Sequence, residues 1–569
     1  MNNRILVRCV SAIALGTASL LTACTEQPLS VTNPNQPDIT LAFGNANNVE
    51  AVTGKLFQQM FNGQYGSSDD IWTQTLVLSF ESSSQLGNFG MGTRSIVPRP
   101  LIDNSIGNGV AIGNYRDYDH LSRNVRGATN AIAASNVFGV AGFGSPARLA
   151  RARSFAYFAL GYGLGHLSLI YDSAAIITPA TPQSEVPPFS SSAAVNTAAL
   201  AALDSALAIA NSADATNGSG GWPIPKEWWL SSGTSSSGPD RTGWIRIIRS
   251  FKAKFRAGVA RTATERDAVD WTAVIADATN GIVEDLTIQS DVPAGWSTAV
   301  IQQMAVSASW SQMSPFILGM ADTSGTYDAW LQQPVLSRAW ASGTPLRTPD
   351  QRFPSGATRA AQTTASGGAT RNGPPAGTIL YFRNRPSGED LSSFAWGTWQ
   401  YDNHRFWLIR AAGGNGTYVL MSRAESDMLA AEGYLRPSNI NIPLAIPLID
   451  RYRTRAGLPA LAGVVTTLTD PVPGAGACVP RVPVATANPP ATVCGTIFEA
   501  MKWEKRVETS FTGHSQWYID ARGWGDLYAG TPLEWPVPYN ELFARHRSTY
   551  INSRVAPVGT YGFGRSGTY

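Results

Sequence analysis

Between Arg148 and Tyr171 the chain carries a helical run with almost no polar face. Phe155, Tyr157, Phe158, Leu160, Tyr162, Leu164 and Leu167 fall all round the helix rather than on one stripe. A helix of that kind has to be covered on several sides. Ser145 is a natural N-cap, and Pro146 takes the first helical position, where a missing N–H is tolerated. Gly161, Gly163 and Gly165 lie inside the run with no strand before them, so they read as close helix contacts rather than a phosphate loop.

The covering elements are more helices. Asn47–Tyr65 sets Val49, Val52, Leu56 and Met60 on one face. Asp117–Ser135 pairs with Pro146–Tyr171 across a Gly-rich turn. Ser192–Ser212 is an Ala-rich helix, and Trp244–Thr262 with Trp271–Ile282 forms a further pair. Helices resume at Tyr418–Arg436 and at Pro443–Ala456, the latter stopped by Gly457 and Pro459. Cys494–Thr512 reads as the last helix before a turn-rich tail. The Ser/Gly/Asn-rich stretch that holds Trp72 reads as loop, and Pro293–Glu389 as a loop-rich excursion with short strands. Helix pairs repeating at about 34 residues indicate tetratricopeptide-type packing. Such pairs stack into a superhelix because none buries its apolar face alone.

Composition limits the function classes. The 569 residues allow one large architecture or about two to four domains. Charged residues make up only 15%, while 43% are hydrophobic, so the chain can bury a large core. A net charge of +3 gives no basic excess for phosphate binding, which argues against a nucleic-acid partner. No apolar window of spanning length is expected after the first 25 residues, and the helical middle does not fit a membrane β-barrel.

Met1–Cys24 has a basic start (Arg4, Arg8), an apolar stretch Cys9–Leu21, and the ending Leu21-Thr22-Ala23-Cys24. The tripartite form is that of a secretory signal, and the ending resembles the bacterial lipobox. That resemblance implies cleavage before Cys24 and lipidation of it, which would anchor the protein to a membrane. Residues 25–45 then form a polar, Pro-bearing tether. Cys478 and Cys494 remain, and an even pair in an exported chain usually forms a disulfide. It would close a Pro-rich loop of about 17 residues, contributing roughly 3 kcal/mol in the chain-entropy model; two free thiols are the alternative. His120, His166, His404, His514 and His546 are scattered, which argues against a zinc site. Asp117 and Asp119 offer calcium-type oxygen ligands, but acids at a helix start read as capping charges, so neither metal nor cofactor is expected.

Four segments carry a family resemblance. They are Ala147-Arg148-Leu149-Ala150-Arg151 running on to Tyr171; Phe251-Lys252-Ala253-Lys254 with Asp270-Trp271; Arg423-Ala424-Glu425 to Leu435 followed by Arg451, Arg453, Arg455 and Ala456-Gly457-Leu458; and Glu504, Arg506 and Glu508 through Gly513-His514 to Asp520, Arg522, Trp524 and Gly525. In this order they resemble the SusD/RagB outer-membrane lipoproteins. Thr512 stands where the family usually has Glu, Asp450 where it has Asn, and about two extra residues separate Gly513 from Asp520.

The resemblance implies a mainly α fold, a SusD-like superhelix of tetratricopeptide-type pairs with few short strands. It implies a signal peptide at 1–23, a tether at 24–45, an N-terminal repeat region at 46–292, a loop-rich excursion at 293–416 and a C-terminal region at 417–569. The implied function is capture of a glycan, or in some members a peptide, at the outer surface of the outer membrane. Delivery is to a TonB-dependent, SusC-like barrel transporter. Glu504, Arg506 and Glu508 are expected to be structural, salt-linking the C-terminal helix to the repeats.

Sugar rings pack their C–H faces on aromatic rings, and loops on a rigid scaffold concentrate binding residues. Trp72, Trp296, Trp310, Trp330, Trp340, Trp396 and Trp399 are therefore the ligand candidates, with Trp407 nearby. Partial burial as core or loop packing is the competing reading for each. A secreted glycan-degrading enzyme is the rival class. It would need two carboxyl groups about 5–9.5 Å apart. Asp69-Asp70 diverge in a turn, Glu81 and Asp402 are isolated, and Gly513-His514-Ser515-Gln516-Trp517 lacks the second glycine of a nucleophile elbow. No catalytic residue is expected.

Overall fold

The computed structural model describes residues 42–83, 88–182, 184–230, 237–299, 313–334, 338, 340, 343–370, 372–387 and 399–565. The signal, Cys24 and nearly all of the tether lie outside these residues, as do Trp310 and Trp396.

Helix α1 (Ala46–Tyr65) starts where the Asn45 side chain accepts from the Asn48 N–H. The stretch expected to be loop around Trp72 is instead helix α2 (Ile71–Leu78), capped by Asp70 and buried at all eight positions. Its Asp70 Oδ1 accepts from Thr73 N at 2.7 Å. The polar turn Ser67–Asp70 is thus a helix start, and the short Ile-Trp-Thr-Gln-Thr-Leu-Val-Leu run shows no amphipathic period because every side is covered. Helix α3 (Ile112–Phe143) is longer than the expected Asp117–Ser135 and is broken at Gly139, φ 53°. Helix α4 (Pro146–Ile170) is the apolar run, and Ser145 caps it as its sequence predicts.

The three glycines of α4 show why it can be buried all round. A Cβ at Gly161 would lie 2.6 Å from Leu203, at Gly163 2.6 Å from Val125, and at Gly165 2.3 Å from Phe255. Each glycine therefore admits a different neighbour: α5 (Ser192–Asn211), α3, and α6 (Arg241–Gly258). Helix α5 is long and apolar enough, by length and composition, to cross a membrane. This corrects the expectation that no such segment follows the N-terminus. Here it lies between α4 and α6, with Val195, Leu203 and a row of alanines on its buried face.

Beyond α6 come α7 (Ala263–Asp267), α8 (Trp271–Thr279), α9 (Arg423–Leu435), α10 (Ile442–Arg455), α11 (Ile497–Glu508) and α12 (Gln516–Trp524). Contacts run along the series: α1 on α3, α3 on α4, α4 on α5, α5 on α6, α6 on α8, α8 on α9, and α9 on α10 and α11. This is the stacked-hairpin superhelix that the repeats imply. From Asn45 onward the chain packs as one unit.

Among the described residues, four two-stranded antiparallel sheets decorate it. They pair β1 (Ser173–Ala175) with β2 (Phe189–Ser191), β3 (Leu286–Ser290) with β6 (Gly416–Met421), β4 (Phe382–Asn384) with β5 (Tyr401–Asn403), and β7 (Arg481–Pro483) with β8 (Thr492–Cys494). Two expected helix starts are corrected here. Tyr418 to Met421 is strand, with all four residues buried, because it pairs with β3, and the helix begins only after Ser422, whose side chain accepts from Glu425 N. Cys494 likewise ends a hairpin strand, held by its bond to Cys478, and α11 begins at Ile497. Because β3 pairs with β6, residues 291–415 leave and rejoin the stack at one place. Their described part holds short helices at Pro315–Leu318, Thr326–Leu331 and Arg359–Ala365.

Candidate functional site

Three of the tryptophans proposed for ligand come together in the excursion. Trp330 lies 6.4 Å from Trp340, and Trp340 lies 5.6 Å from Trp399, between ring centroids. The row continues at both ends. Phe80 stacks on Phe316 at 4.1 Å, Phe316 meets Trp330 edge-on at 4.9 Å, and Trp399 adjoins Tyr401 at 4.9 Å. The result is a ladder of six rings. Two guanidiniums lie over it: Arg99 at 5.1 Å from the Phe80 centroid and Arg338 at 4.8 Å from that of Trp330. Cation–π contacts of this kind are strengthened by desolvation.

The ladder is core, not an open platform. Trp330 is 1% exposed, Trp340 3% and Trp399 0%. Trp72 and Trp296 go elsewhere and are also buried. Trp72 packs edge-on to Tyr65 at 5.4 Å, and Trp296 packs on Phe61 at 5.4 Å. As placed, none of the five has a ring face open to a sugar. Flat, large side chains close gaps between loops and helices as effectively as they bind ligands, and sequence alone does not distinguish the two uses. Sequence reasoning missed Phe80, Phe316, Arg99 and Arg338; the Phe80–Phe316 stack joins residues more than 200 apart in the chain.

Phe80 has φ 60°, a left-handed conformation that costs a non-glycine residue about 1–2 kcal/mol. Its stacking on Phe316 offsets that cost. The turn also aims Glu81 inward. Glu81 is 2% exposed, and its Oε1 accepts from Phe511 N at 2.6 Å. Burial pushes its carboxyl up to about 8, against the lowering effect of the Phe511 hydrogen bond. The folded state therefore holds a proton on Glu81 that the unfolded chain releases above about pH 4.5, so stability falls as pH rises from about 4.5 to 8. We expect Glu81→Gln, which keeps the acceptor oxygen, to lack this fall. Its thermal midpoint should match wild type near pH 5 and exceed it at pH 8.5; equal midpoints across that range would contradict the assignment.

An excursion cavity of about 360 Å³ lies nearby in sequence. Phe353 and Leu380 line it with Gln351, Ser355 and Thr378. Its size is at the lower end for small-molecule sites. Its wall is apolar, with amide and hydroxyl groups around it.

The segments of the family resemblance meet in a buried ionic lattice. Lys254 Nζ lies 3.0 Å from Glu425, Lys505 2.7 Å from Asp520, and Arg266 2.6 Å from Glu432 and 3.2 Å from Asp520. Arg352 reaches Asp350 at 2.6 Å, Glu504 at 2.8 Å and Glu508 at 3.0 Å, while Arg453 and Arg455 take the outer sides of Glu504 and Glu508. Arg506 pairs with Asp526. Glu504 and Glu508 therefore salt-link the C-terminal helix to Arg453 and Arg455 of α10, as expected, whereas Arg506 pairs with Asp526 and Tyr561 in the tail and, among the described residues, does not reach the repeats. Burial alone would raise the Glu508 carboxyl, but Arg352 and Arg455 together overcome it and hold it below its usual range, whereas at Glu504 burial outweighs the arginines and lifts it to about 7.

One constellation has the form of a hydrolytic triad. Ser515 Oγ lies 3.3 Å from His514 Nδ1, and His514 Nε2 lies 2.8 Å from Asp117 Oδ2. Each residue is 1% exposed, and Ser515 Oγ also meets Thr75 Oγ1 at 2.9 Å. The set is enclosed and joins α2, α3 and α12. Asp117 is thus an interior partner of His514, and Asp119 pairs with Arg123 at 2.8 Å; neither caps the helix as the sequence suggested. Among the described residues no group of three or more His, Cys, Asp and Glu side chains is placed to hold a metal ion.

No protein-family model matches the sequence, and no curated protein matches it. Solved structures do. A SusD homolog from Parabacteroides distasonis superposes with a TM-score of 0.51 at 13% identity, covering 83% of this chain and 84% of that one. A SusD superfamily protein from the same organism gives 0.51 at 11% identity, covering 89% and 98%. At such identity the likeness establishes the fold alone, and that fold is SusD-like.

Proposed function

We propose that this chain, with its SusD fold, is a surface-exposed, lipid-anchored outer-membrane protein that binds a glycan and delivers it to a TonB-dependent, SusC-like transporter. The observation that carries the reading is the likeness in fold along most of the chain, joined to the ending Leu21-Thr22-Ala23-Cys24. Lipid chains on Cys24 would hold the protein at the membrane, each buried CH₂ contributing about 0.8 kcal/mol. The tether would give the body freedom to open and close over a transporter.

Binding falls to the excursion, where loops rest on a rigid base of ladder and ionic lattice. The cavity of Phe353 and Thr378 offers one sugar subsite. Trp310 and Trp396, which lie outside the described residues, are retained as proposed ring contacts from the sequence alone.

Affinity electrophoresis of the body after Cys24 against a panel of polysaccharides tests this. We expect retardation on one glycan, weakened in Trp310→Ala, Trp396→Ala or Thr378→Arg. No retardation on any glycan would turn the reading toward oligopeptides. Cys24→Ala should release the full chain from the membrane fraction.

A further inference from the structure

A second cavity, of about 430 Å³, lies where the chain after α12 and the tail near Val558 face the start of α7. Its walls are mostly hydrocarbon: Trp524, Leu527, Leu533, Ala556 and Val558. Two arginines line it as well, Arg261 and Arg522, each 1% exposed.

Their charges are not balanced. Arg261 is fully engaged. Its Nε donates to Glu534 Oε2 at 3.0 Å, and its two Nη atoms donate to the carbonyls of Val259, Ser168 and Tyr171. Arg522 has no carboxylate within ion-pairing distance among the described residues. It donates to two backbone carbonyls, Leu533 at 2.9 Å and Gly258 at 3.0 Å, and lies over the Tyr518 ring at 5.4 Å, while its buried Nε meets no acceptor. Glu534, the acid near both, is already divided among Arg261, Arg554 and the amide of Asn552. Burial, with Arg261 beside it, pulls the Arg522 guanidinium down to about 9. A buried cation lacking a counter-charge is costly, and an open cavity beside it lets a ligand supply that charge.

The walls choose the anion. Inorganic phosphate would give up its hydration to hydrocarbon and fill only part of the space. A free sugar would leave most hydroxyls without partners, each an unfavourable burial. A carboxylate on a hydrocarbon body satisfies both features, since its two oxygens suit a guanidinium. We propose that this cavity is a binding site for a small organic monocarboxylate with an apolar body, held by Arg522. It is separate from the excursion and independent of which glycan, if any, the protein carries.

The test is calorimetric titration of the body after Cys24 with benzoate, and with benzyl alcohol and inorganic phosphate beside it. We expect saturable benzoate binding and none for the other two. Val558 is 50% exposed, so Val558→Asp keeps the fold while placing a tethered carboxylate at the cavity. It should weaken benzoate at least tenfold, as should Arg522→Gln if that variant folds. Absence of benzoate binding, equal binding of benzyl alcohol or of phosphate, or unchanged affinity in Val558→Asp would each overturn the proposal.

Discussion

Arg352→Ala should cost about 3–5 kcal/mol of folding stability, the range for removing one partner from a buried ionic cluster. Arg352 is wholly buried and its guanidinium serves three acids, Asp350, Glu504 and Glu508. Without it those three carboxylates share Arg453 and Arg455, and Arg455 is the more exposed of the two. Arg352→Lys should recover only part of the loss, because an ammonium cannot match the fork that meets Asp350 through two nitrogens, Nε and Nη2. The defect should also depend on pH. Glu504 already titrates at about 7 when Arg352 is present. Losing a cation raises it further, so the variant takes up a proton in the folded state and suffers less at pH 5.5 than at pH 8.5. Urea denaturation at both values checks the claim. A cost under about 1 kcal/mol at pH 8.5 would mean that water reaches the cluster and screens it.

The same cluster shows what the sequence made legible. Glu504 and Glu508 stand four residues apart on one helix, where the resemblance implied a structural role, and their burial is matched by Arg352, Arg453 and Arg455. The buried run of α4 was equally legible, since seven large apolar residues around a helix allow no solvent face, and its glycines mark contacts with three neighbours. What sequence did not disclose is pairing at long range. The strand from Gly416 to Met421 looks helical until β3 is beside it, because strand formation there depends on a partner more than 100 residues away. Helix α12 hides behind Gly513 and Ser515, both at positive φ, and is too short for its period to show. Tryptophans suffer most. A ring spaced through loops has the same local signature whether it faces a ligand or a neighbouring ring, and only the burial of Trp330, Trp340 and Trp399 separates the cases.

Trp330→Ala is accordingly expected to damage stability rather than recognition. The ring is 1% exposed and touches Phe316 edge-on at 4.9 Å, Tyr327 in a stack at 5.8 Å and Trp340 at 6.4 Å, with Arg338 over it at 4.8 Å. Truncation removes the transfer energy of an indole and leaves a cavity that the flanking rings are too rigid to fill. Core aromatic-to-alanine changes of this type cost about 3–5 kcal/mol. Arg338 loses a cation–π partner as well, adding about 0.5–2 kcal/mol. Trp330→Phe keeps a ring in the ladder and should recover more than half of the loss. Binding separates packing from contact. Held below its lowered thermal midpoint, the alanine variant should retain the glycan affinity of wild type, because the ring it lacks presented no face to solvent. An alanine variant as stable as wild type but unable to retain glycan would reverse the assignment and make Trp330 part of the ligand surface.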